Sequence, residues 1–326
     1  MEYKILTGTG IKVSRICLGT MTFGDQLQEK DAIEATAKAV DLGINFIDTA
    51  NGYMRGESEV IVGKAVKAYR DKLIIATKGG YPTCQDGDMN DRGLSRRNLI
   101  SSLDNSLKRL GLDYIDIYYM HCPIYDVPPE ETYDTLSSFV RAGKVRYIGT
   151  SNSSSWQVCE ALWKNDVRNG VPPVVSQVPY NLLARGIENE LVPFLQTYKL
   201  GLVVYNPLAG GLLTGKHKLD SVAPDSRYTG RFSKMYKDRY WNEESFGAVD
   251  KLAVLAQEHG ITIAELAMRW VASQPFVDSV LTGISKIEQL EQNVNAISHE
   301  PLCKEILDTC DNLWYELSGK RTRYNR

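Results

Sequence analysis

One stretch of sequence decides the fold: Phe46-Ile-Asp-Thr-Ala-Asn-Gly-Tyr-Met-Arg-Gly-Glu-Ser-Glu59. It starts with a short apolar run that ends in Asp48, continues through a loop that carries Tyr53, and enters a predicted helix near Ser58. A strand, a polar loop and a helix in this order form the repeating unit of parallel α/β folds. The stretch therefore predicts one such unit, with a carboxylic acid and a phenol after its strand.

Two later apolar runs end in the same way. Residues 73–77 stop at Lys78, and residues 114–120 stop at His121. Parallel α/β folds place their chemistry at the carboxyl ends of successive strands. We therefore expect Lys78 and His121 to lie beside Asp48 at one end of a parallel sheet.

Apolar segments and amphipathic helices alternate along nearly the whole chain. The candidate strands are residues 16–18, 45–48, 73–77, 115–120, 145–149, 174–177, 202–205 and 279–281. The candidate helices between them are residues 31–42, 95–110, 130–142, 154–163, 189–198 and 244–259. Eight strands, each followed by a helix or a long loop, predict an α/β fold of the (β/α)₈ TIM-barrel class.

Three segments fall outside the barrel repeat. Residues 3–13 are predicted to form an N-terminal β-hairpin, because Gly8-Thr-Gly10 marks a turn between two short apolar runs. Residues 206–243 are predicted to be a long loop after strand seven, and residues 301–326 to begin as a C-terminal helix and end in a solvated basic run.

An open doubly wound sheet is the alternative architecture. A sheet of that kind that binds a dinucleotide normally carries Gly-x-Gly-x-x-Gly after its first strand, whereas here the sequence is Gly19-Thr-Met-Thr-Phe-Gly24. The barrel is therefore favoured. No Pro/Gly-rich linker, charge block or internal repeat marks a boundary, so residues 1–326 are predicted to form a single domain.

Composition excludes several classes of protein. The 326 residues are 43% hydrophobic and carry a net charge of −2, which supports a large core and gives no basic surface for nucleic acid. No apolar run approaches the length of a membrane span, and the start of the chain lacks a signal-peptide pattern. The six cysteines contain no Cys-x-x-Cys pair and are predicted to be reduced residues of a cytoplasmic protein.

The four polar residues suggest one kind of chemistry, the reduction of a carbonyl group. A free tyrosine has a pKa of about 10, too high for an effective acid near neutrality, and a neighbouring cation lowers it. Tyr53 would donate a proton to the carbonyl oxygen, Lys78 would favour the phenolate, and Asp48 would anchor Lys78. His121 would form a hydrogen bond to the carbonyl oxygen and orient it.

Two other site types are disfavoured. Gly210-Gly-Leu-Leu-Thr-Gly-Lys216 matches the start of a nucleotide-triphosphate loop, but His217 follows where a magnesium-binding Ser or Thr is needed. The four histidines form no ligand spacing, so no metal site is predicted.

Several motifs resemble those of a known family. They are the 46–59 stretch, Thr77-Lys-Gly79, Arg109-Leu-Gly-Leu-Asp-Tyr-Ile-Asp116, Gly143-Lys-Val-Arg-Tyr-Ile-Gly-Thr-Ser-Asn152 and Tyr205-Asn-Pro-Leu-Ala-Gly-Gly-Leu-Leu-Thr-Gly-Lys216. Over nearly its whole length the chain resembles the aldo-keto reductases, especially the long-loop branch with the bacterial general reductases and the potassium-channel β subunits. The resemblance implies a (β/α)₈ barrel, a catalytic tetrad of Asp48, Tyr53, Lys78 and His121, and NADPH (NADP⁺) as cofactor, with NADH possible.

The resemblance also implies cofactor contacts along the chain. These residues are Gly19, Thr20, Met21, Asp48, Ser151, Asn152, Gln177, Tyr205, Asn206, Pro207, Leu208, Gly210, Lys216, Arg227, Gly283, Ser285, Lys286, Gln289, Gln292 and Asn293. Ser151, Asn152 and Gln177 would bind the nicotinamide carboxamide and Tyr205 would stack on its ring, whereas the segment from Asn206 to Lys216 would hold the pyrophosphate.

The adenosine end depends on residues 283–293. Independently of the family, a Ser285-Lys286 pair just before a helix suits a 2′-phosphate, because the helix N-terminus and the lysine both attract an anion. Ser285 as an ordinary helix N-cap is equally compatible with the sequence. Several relatives place an arginine on the 2′-phosphate where this chain has Gln289, which weakens the preference for NADPH over NADH without reversing it.

Three functions remain as hypotheses. The first is an NADPH-dependent reductase of a small carbonyl or sugar-like compound, with Phe23, Tyr81 and Tyr125 as candidate substrate contacts. The second is a cofactor-binding, redox-sensing regulatory subunit, although such relatives tend to have Asn in place of His121. The third is a Schiff-base aldolase that uses Lys78. The oligomeric state is left open.

Overall fold

Ten strands and eleven helices form in the computed structural model, which describes residues 1–83, 87–224, 226–230 and 232–319. The predicted solvated run at 320–326 and one of the six cysteines, Cys84, lie outside the described residues. The other five cysteines are free thiols.

An antiparallel hairpin precedes the barrel, as the sequence predicts. It consists of β1 (Tyr3–Ile5) and β2 (Lys12–Ser14). Leu6 and Val13 belong to the same buried cluster as residues from the barrel strands, so the hairpin packs on the core of the barrel.

Eight strands then close into a barrel. They are β3 (Ile16–Gly19), β4 (Phe46–Asp48), β5 (Ile74–Gly79), β6 (Ile115–Met120), β7 (Val145–Ser151), β8 (Val175–Pro179), β9 (Gly201–Tyr205) and β10 (Ser279–Gly283). Each strand is hydrogen-bonded to the next, and β10 lies between β9 and β3. The (β/α)₈ prediction is confirmed, and each predicted strand boundary is within two residues of the observed one.

The six helices expected from the sequence are present. They are α1 (Glu29–Asp41), α3 (Arg96–Leu110), α4 (Pro129–Arg141), α5 (Ser155–Val167), α6 (Leu191–Tyr198) and α8 (Glu243–Glu258). The ends of α3 show why such boundaries are predictable. The side chain of Ser95 accepts a hydrogen bond from the Asn98 backbone at the start of the helix, and Gly111 adopts the left-handed conformation that ends it.

The other helices of the described residues are α2 (Glu57–Val66), α7 (Ser233–Tyr240), α9 (Ile263–Ser273), α10 (Glu288–Ser298) and α11 (Lys304–Ser318). The long connection predicted over 206–243 follows β9, and it contains two elements that the sequence did not predict, a 3₁₀ turn at Ala209–Thr214 and then α7. Helix α7 is hard to recognise, since it is mostly polar and buries only Tyr236 and Tyr240.

The chain divides into two compact units. The first comprises Met1–Val178, Asn189–Tyr205 and Phe276–Val294, and it carries the barrel. The second comprises Pro179–Glu188, Asn206–Pro275 and Asn295–Arg326. The assignment of residues 1–326 to a single domain stays a prediction. No helix of the described residues is long and apolar enough to cross a membrane.

Candidate active site

Four polar side chains meet at the carboxyl ends of β4, β5 and β6. Asp48 is the last residue of β4, Lys78 lies near the end of β5, and His121 directly follows β6. Tyr53 begins a 3₁₀ turn (Tyr53–Gly56) after β4. Nζ of Lys78 donates hydrogen bonds to the Asp48 carboxylate, to the hydroxyl oxygen of Tyr53 at 3.2 Å, and to the carbonyl oxygen of Thr49 at 2.9 Å.

The Lys78–Asp48 ion pair is completely enclosed, with each side chain only 1% exposed. Burial acts to lower the pKa of Lys78, but the charge of Asp48 and the nearby Tyr53 outweigh it and raise this pKa above its ordinary value. Burial raises the pKa of Asp48, while Lys78 and a hydrogen bond from Gln177 act against that rise. Lys78 therefore keeps its positive charge at neutral pH.

The backbone that carries Tyr53 is held in an unusual conformation. Met54 and Arg55 have positive φ angles of 45° and 58°, and Gly56 follows at 94°. Two consecutive non-glycine residues in the left-handed region are costly, so the surrounding structure must hold the turn.

The ion pair between Arg109 and Glu59 lies next to this turn. Nε of Arg109 lies 2.7 Å from Oε2 of Glu59. Glu59 is completely buried, and its other carboxylate oxygen, Oε1, accepts a hydrogen bond from the hydroxyl of Thr77. A Cβ on Gly56 would lie 2.8 Å from Cδ of Arg109, so a side chain at this position would collide with the arginine. The sequence motifs contain Glu59 and Arg109, but their spacing did not reveal that they pair.

His121 is a neutral imidazole in this site. Its ring lies edge-on to those of Tyr53 and Tyr81, with centroid distances of 5.8 Å and 4.5 Å. Burial and the charge of Lys78 lower its pKa well below the ordinary value. No hydrogen-bond partner for its buried Nδ1 occurs among the described residues.

The residues expected at the nicotinamide form one hydrogen-bonded chain. The hydroxyl of Tyr205 donates to Oδ1 of Asn152 at 2.7 Å, and Nδ2 of Asn152 donates to Oγ of Ser151 at 3.2 Å. Ser151 donates to the carbonyl oxygen of Gln177 at 3.0 Å, and Nε2 of Gln177 donates to Oδ2 of Asp48 at 2.9 Å. The sequence did not predict the hydrogen bond from Gln177 to Asp48.

The residues at and just after the end of β3 lie beside Asp48. The backbone nitrogen and the hydroxyl of Thr20 both donate to the carbonyl oxygen of Asp48 at 3.0 Å. The next residue, Met21, is partly buried. Gly19 allows a close approach of strands, because a Cβ there would lie 2.4 Å from Cδ2 of Leu281.

The predicted adenosine segment follows β10, which ends at Gly283. Oε1 of Gln289 accepts hydrogen bonds from the backbone nitrogens of Ser285 at 2.8 Å and Lys286 at 3.3 Å. Gln289 thus occupies the backbone donors that were expected to bind the 2′-phosphate. The side chain of Lys286 is exposed, as is that of Gln292, and Asn293 is partly buried.

The predicted pyrophosphate residues lie in the second unit. Oδ1 of Asn206 accepts a hydrogen bond from the Gly210 nitrogen at 2.6 Å, and its Nδ2 donates to Tyr240 at 3.0 Å, so Asn206 stabilises its own loop. Pro207 is buried, Leu208 is partly exposed and Lys216 is exposed. Arg227 donates to the hydroxyl of Tyr236 at 3.1 Å.

The three predicted substrate residues differ in exposure. Phe23 is completely buried, so a substrate could touch it only if its neighbours moved. Tyr81 is 45% exposed and packs on His121, whereas Tyr125 is 74% exposed and accepts a hydrogen bond from Gln157 at 2.6 Å. Tyr81 is therefore the one of the three that combines exposure with a ring contact to one of the four polar residues, His121.

A closed parallel barrel with polar side chains gathered at the carboxyl ends of its strands is the architecture of many barrel enzymes. Residues 15–315 match the profile of the Aldo/keto reductase family. The chain belongs to this family and is therefore an oxidoreductase that acts on carbonyl compounds with a nicotinamide cofactor.

Curated relatives of different kinds align over almost the full chain. A probable voltage-gated potassium channel subunit beta from Oryza sativa subsp. japonica is 37% identical over 100% of both chains. Aldo-keto reductase YhdN from Bacillus subtilis (strain 168) is 39% identical over 89% of this chain and 87% of its own. An L-glyceraldehyde 3-phosphate reductase from Escherichia coli O157:H7 is 36% identical over 98% and 96% respectively.

Proposed function

We propose that this protein reduces an aldehyde or ketone to an alcohol, with NADPH as the hydride source and Tyr53 as the proton donor. The observation that carries the proposal is the 3.2 Å hydrogen bond between Nζ of Lys78 and the hydroxyl oxygen of Tyr53. A cation at this distance favours the phenolate form, which makes the phenol a stronger acid. Because the side chain of Lys78 is almost completely buried, water screens its charge little.

Each of the four residues has a distinct part in the proposed reaction. The nicotinamide, when bound, supplies a hydride to the carbonyl carbon. Tyr53 donates its proton to the carbonyl oxygen, and Lys78 stabilises the phenolate that remains. Asp48 holds Lys78 in position through their ion pair. His121 is neutral and orients the carbonyl oxygen through a hydrogen bond.

The side chains around Asn152 suit a nicotinamide. Ser151, Asn152 and Tyr205 offer amide and hydroxyl donors and acceptors within one hydrogen-bond network, and a carboxamide needs both kinds of partner. Tyr205 is partly exposed and presents an aromatic ring on which a flat heterocycle can stack. The roles of Asn206, Leu208, Gly210 and Lys216 at the pyrophosphate stay predictions.

NADPH is the proposed cofactor and NADH the second choice. The support is the exposed ammonium group of Lys286 just before α10, because a lysine near a helix N-terminus favours a phosphate. The substrate would be a small carbonyl or sugar-like compound that contacts the exposed face of Tyr81. We also propose a cytoplasmic location, since the five cysteines of the described residues are free thiols.

A regulatory subunit is the second candidate function. The relative from Oryza sativa is described as a probable potassium channel subunit, and it aligns over the whole chain. In this reading the chain would bind a cofactor and a protein partner, and turnover would be slow or absent.

Substitution of Tyr53 by Phe tests the proposal directly. The variant should bind NADPH with unchanged affinity, measured by intrinsic fluorescence, and lose roughly 10²- to 10⁴-fold in turnover, because only the proton donor is removed. Tyr198→Phe is the matched control, since Tyr198 is an exposed tyrosine on α6. Unchanged turnover in Tyr53→Phe would refute Tyr53 as the acid. Cofactor binding by the wild type without turnover on a panel of carbonyl compounds would favour the regulatory function.

A further inference from the structure

His217 has no role in the proposed reaction, yet it is one of the most enclosed polar residues of the second unit. It is 4% exposed and lies between the 3₁₀ turn Ala209–Thr214 and α7. Its ring packs edge-on against Tyr228 and Trp241, with centroid distances of 5.0 Å and 5.6 Å. The backbone nitrogen of Ala223 donates a hydrogen bond to its Nδ1 at 3.1 Å.

These contacts fix the tautomer of the ring. Because Nδ1 accepts a hydrogen bond, the proton of the neutral imidazole resides on Nε2. Burial and the charge of Lys216 lower the pKa of His217, so the neutral form prevails near pH 7. Nε2 is buried and has no partner among the described residues. Since nearly all buried donors in proteins are satisfied, this N–H points to an acceptor that the described residues do not provide.

The surroundings of Nε2 suit an anion. A Cβ placed on Gly211 would lie 3.8 Å from Nε2 of His217 and 4.0 Å from Nζ of Lys216, so both donors lie close to the same side of this glycine. No carboxylate of the described residues forms an ion pair with Lys216. The ammonium group and the N–H together repel a cation and attract a phosphate oxygen.

The backbone of the turn does not compete for this ligand. The nitrogen of Gly211 already donates to the Leu208 carbonyl at 2.8 Å, and the nitrogen of Gly210 donates to Asn206. Side chains are therefore the donors that remain for an anion over Gly211. We infer that His217 is a phosphate-binding residue, which donates through Nε2 to the pyrophosphate of the dinucleotide beside Lys216. This inference rests on the proposed function for the identity of the ligand.

Two variants of the full chain isolate the donor. His217→Phe keeps a ring between Tyr228 and Trp241 but removes the N–H, whereas His217→Gln places an amide N–H near the position of Nε2. His259→Gln is the control, because His259 is exposed at the end of α8. Fluorescence titration with NADPH gives the dissociation constants, and thermal unfolding verifies that each variant is folded.

Because His217→Phe removes a hydrogen bond to a charged group, we expect it to weaken NADPH binding roughly ten- to hundredfold. His217→Gln should recover most of this loss. An independent measurement follows the His217 imidazole signal by NMR during titration of the wild type with inorganic diphosphate, where this signal should move and that of His259 should not. Equal NADPH affinity in folded His217→Phe and wild type overturns the inference and leaves the reductase proposal intact.

If the wild type binds no dinucleotide, the proposed function fails and the diphosphate titration decides the inference. A shift of the His217 signal then supports an anion site at this residue, and an unmoved signal overturns it.

Discussion

The side-chain oxygen of Gln289 lies 2.8 Å from the backbone nitrogen of Ser285 and accepts its hydrogen bond. The same oxygen also accepts from Lys286 at 3.3 Å, so two backbone donors before α10 already have a partner. A 2′-phosphate that used these donors would have to displace Gln289. We therefore expect Gln289→Ala to bind NADPH more tightly, by about threefold to tenfold, with little change for NADH. Fluorescence titration with both cofactors measures this change.

Gln292→Ala provides the control for Gln289→Ala, because Gln292 is an exposed glutamine on the same helix. If both variants change NADPH affinity equally, the hydrogen bonds of Gln289 do not govern cofactor choice.

Removal of the Lys286 ammonium group should have the opposite effect on cofactor choice. Lys286→Ala should weaken NADPH several-fold and NADH hardly at all, because only NADPH carries a phosphate for the lysine to bind. Lys304→Ala is a suitable control, since this exposed lysine pairs with Asp308 on its own helix. Equal weakening of both cofactors would show that Lys286 does not read the 2′-phosphate.

Loss of Arg109 should destabilise the protein and misplace Tyr53. Arg109→Met leaves Glu59 as a buried carboxylate without its cation, which typically costs about 3–5 kcal/mol in the free energy of unfolding. Turnover should also fall, because the left-handed turn over Met54 and Arg55 loses its support. Urea unfolding and steady-state kinetics measure the two effects.

A second substitution tests the cause of this destabilisation. Glu59→Gln in the Arg109→Met background removes the uncompensated charge and should restore part of the lost stability. An additive or larger loss in the double variant would mean that the buried charge is not the main cause.

Protonation of His121 should couple stability to pH. The pKa of His121 is lowered in the folded protein, so the unfolded chain binds the proton more readily and stability is lost as the pH falls below about 6.5. Between pH 7.5 and 5.5 the linkage relation allows a loss of at most about 1.4 kcal/mol for one such histidine. His121→Asn should show a smaller loss than the wild type in urea unfolding at the two pH values. Identical pH dependence in the two proteins would contradict a depressed pKa.

Local patterns predicted the scaffold well because each barrel strand is short, apolar and bounded by polar residues. The positions of Asp48, Lys78 and His121 at the strand ends followed from the same pattern, and the structure brings them together with Tyr53. Their catalytic roles stay proposals, since geometry alone does not measure turnover.

What the sequence did not reveal depends on contacts between distant segments. The pairing of Glu59 with Arg109 spans 50 positions, and the bond from Gln177 to Asp48 spans 129. No local periodicity encodes such contacts. No role for His217 follows from the sequence, because its burial and unsatisfied nitrogen become visible only in three dimensions.

The pairing of β3 with β10 has a consequence for how the protein is made. The hydroxyl of Ser279, at the start of β10, donates to the Ser14 carbonyl just before β3, a contact between residues 265 positions apart. During synthesis the sheet stays open until β10 has left the ribosome, and β3 and β9 meanwhile present unpaired edges. Nascent chains that stall before residue 279 should therefore be prone to aggregate and should depend on chaperones, whereas the closed barrel exposes no such edge.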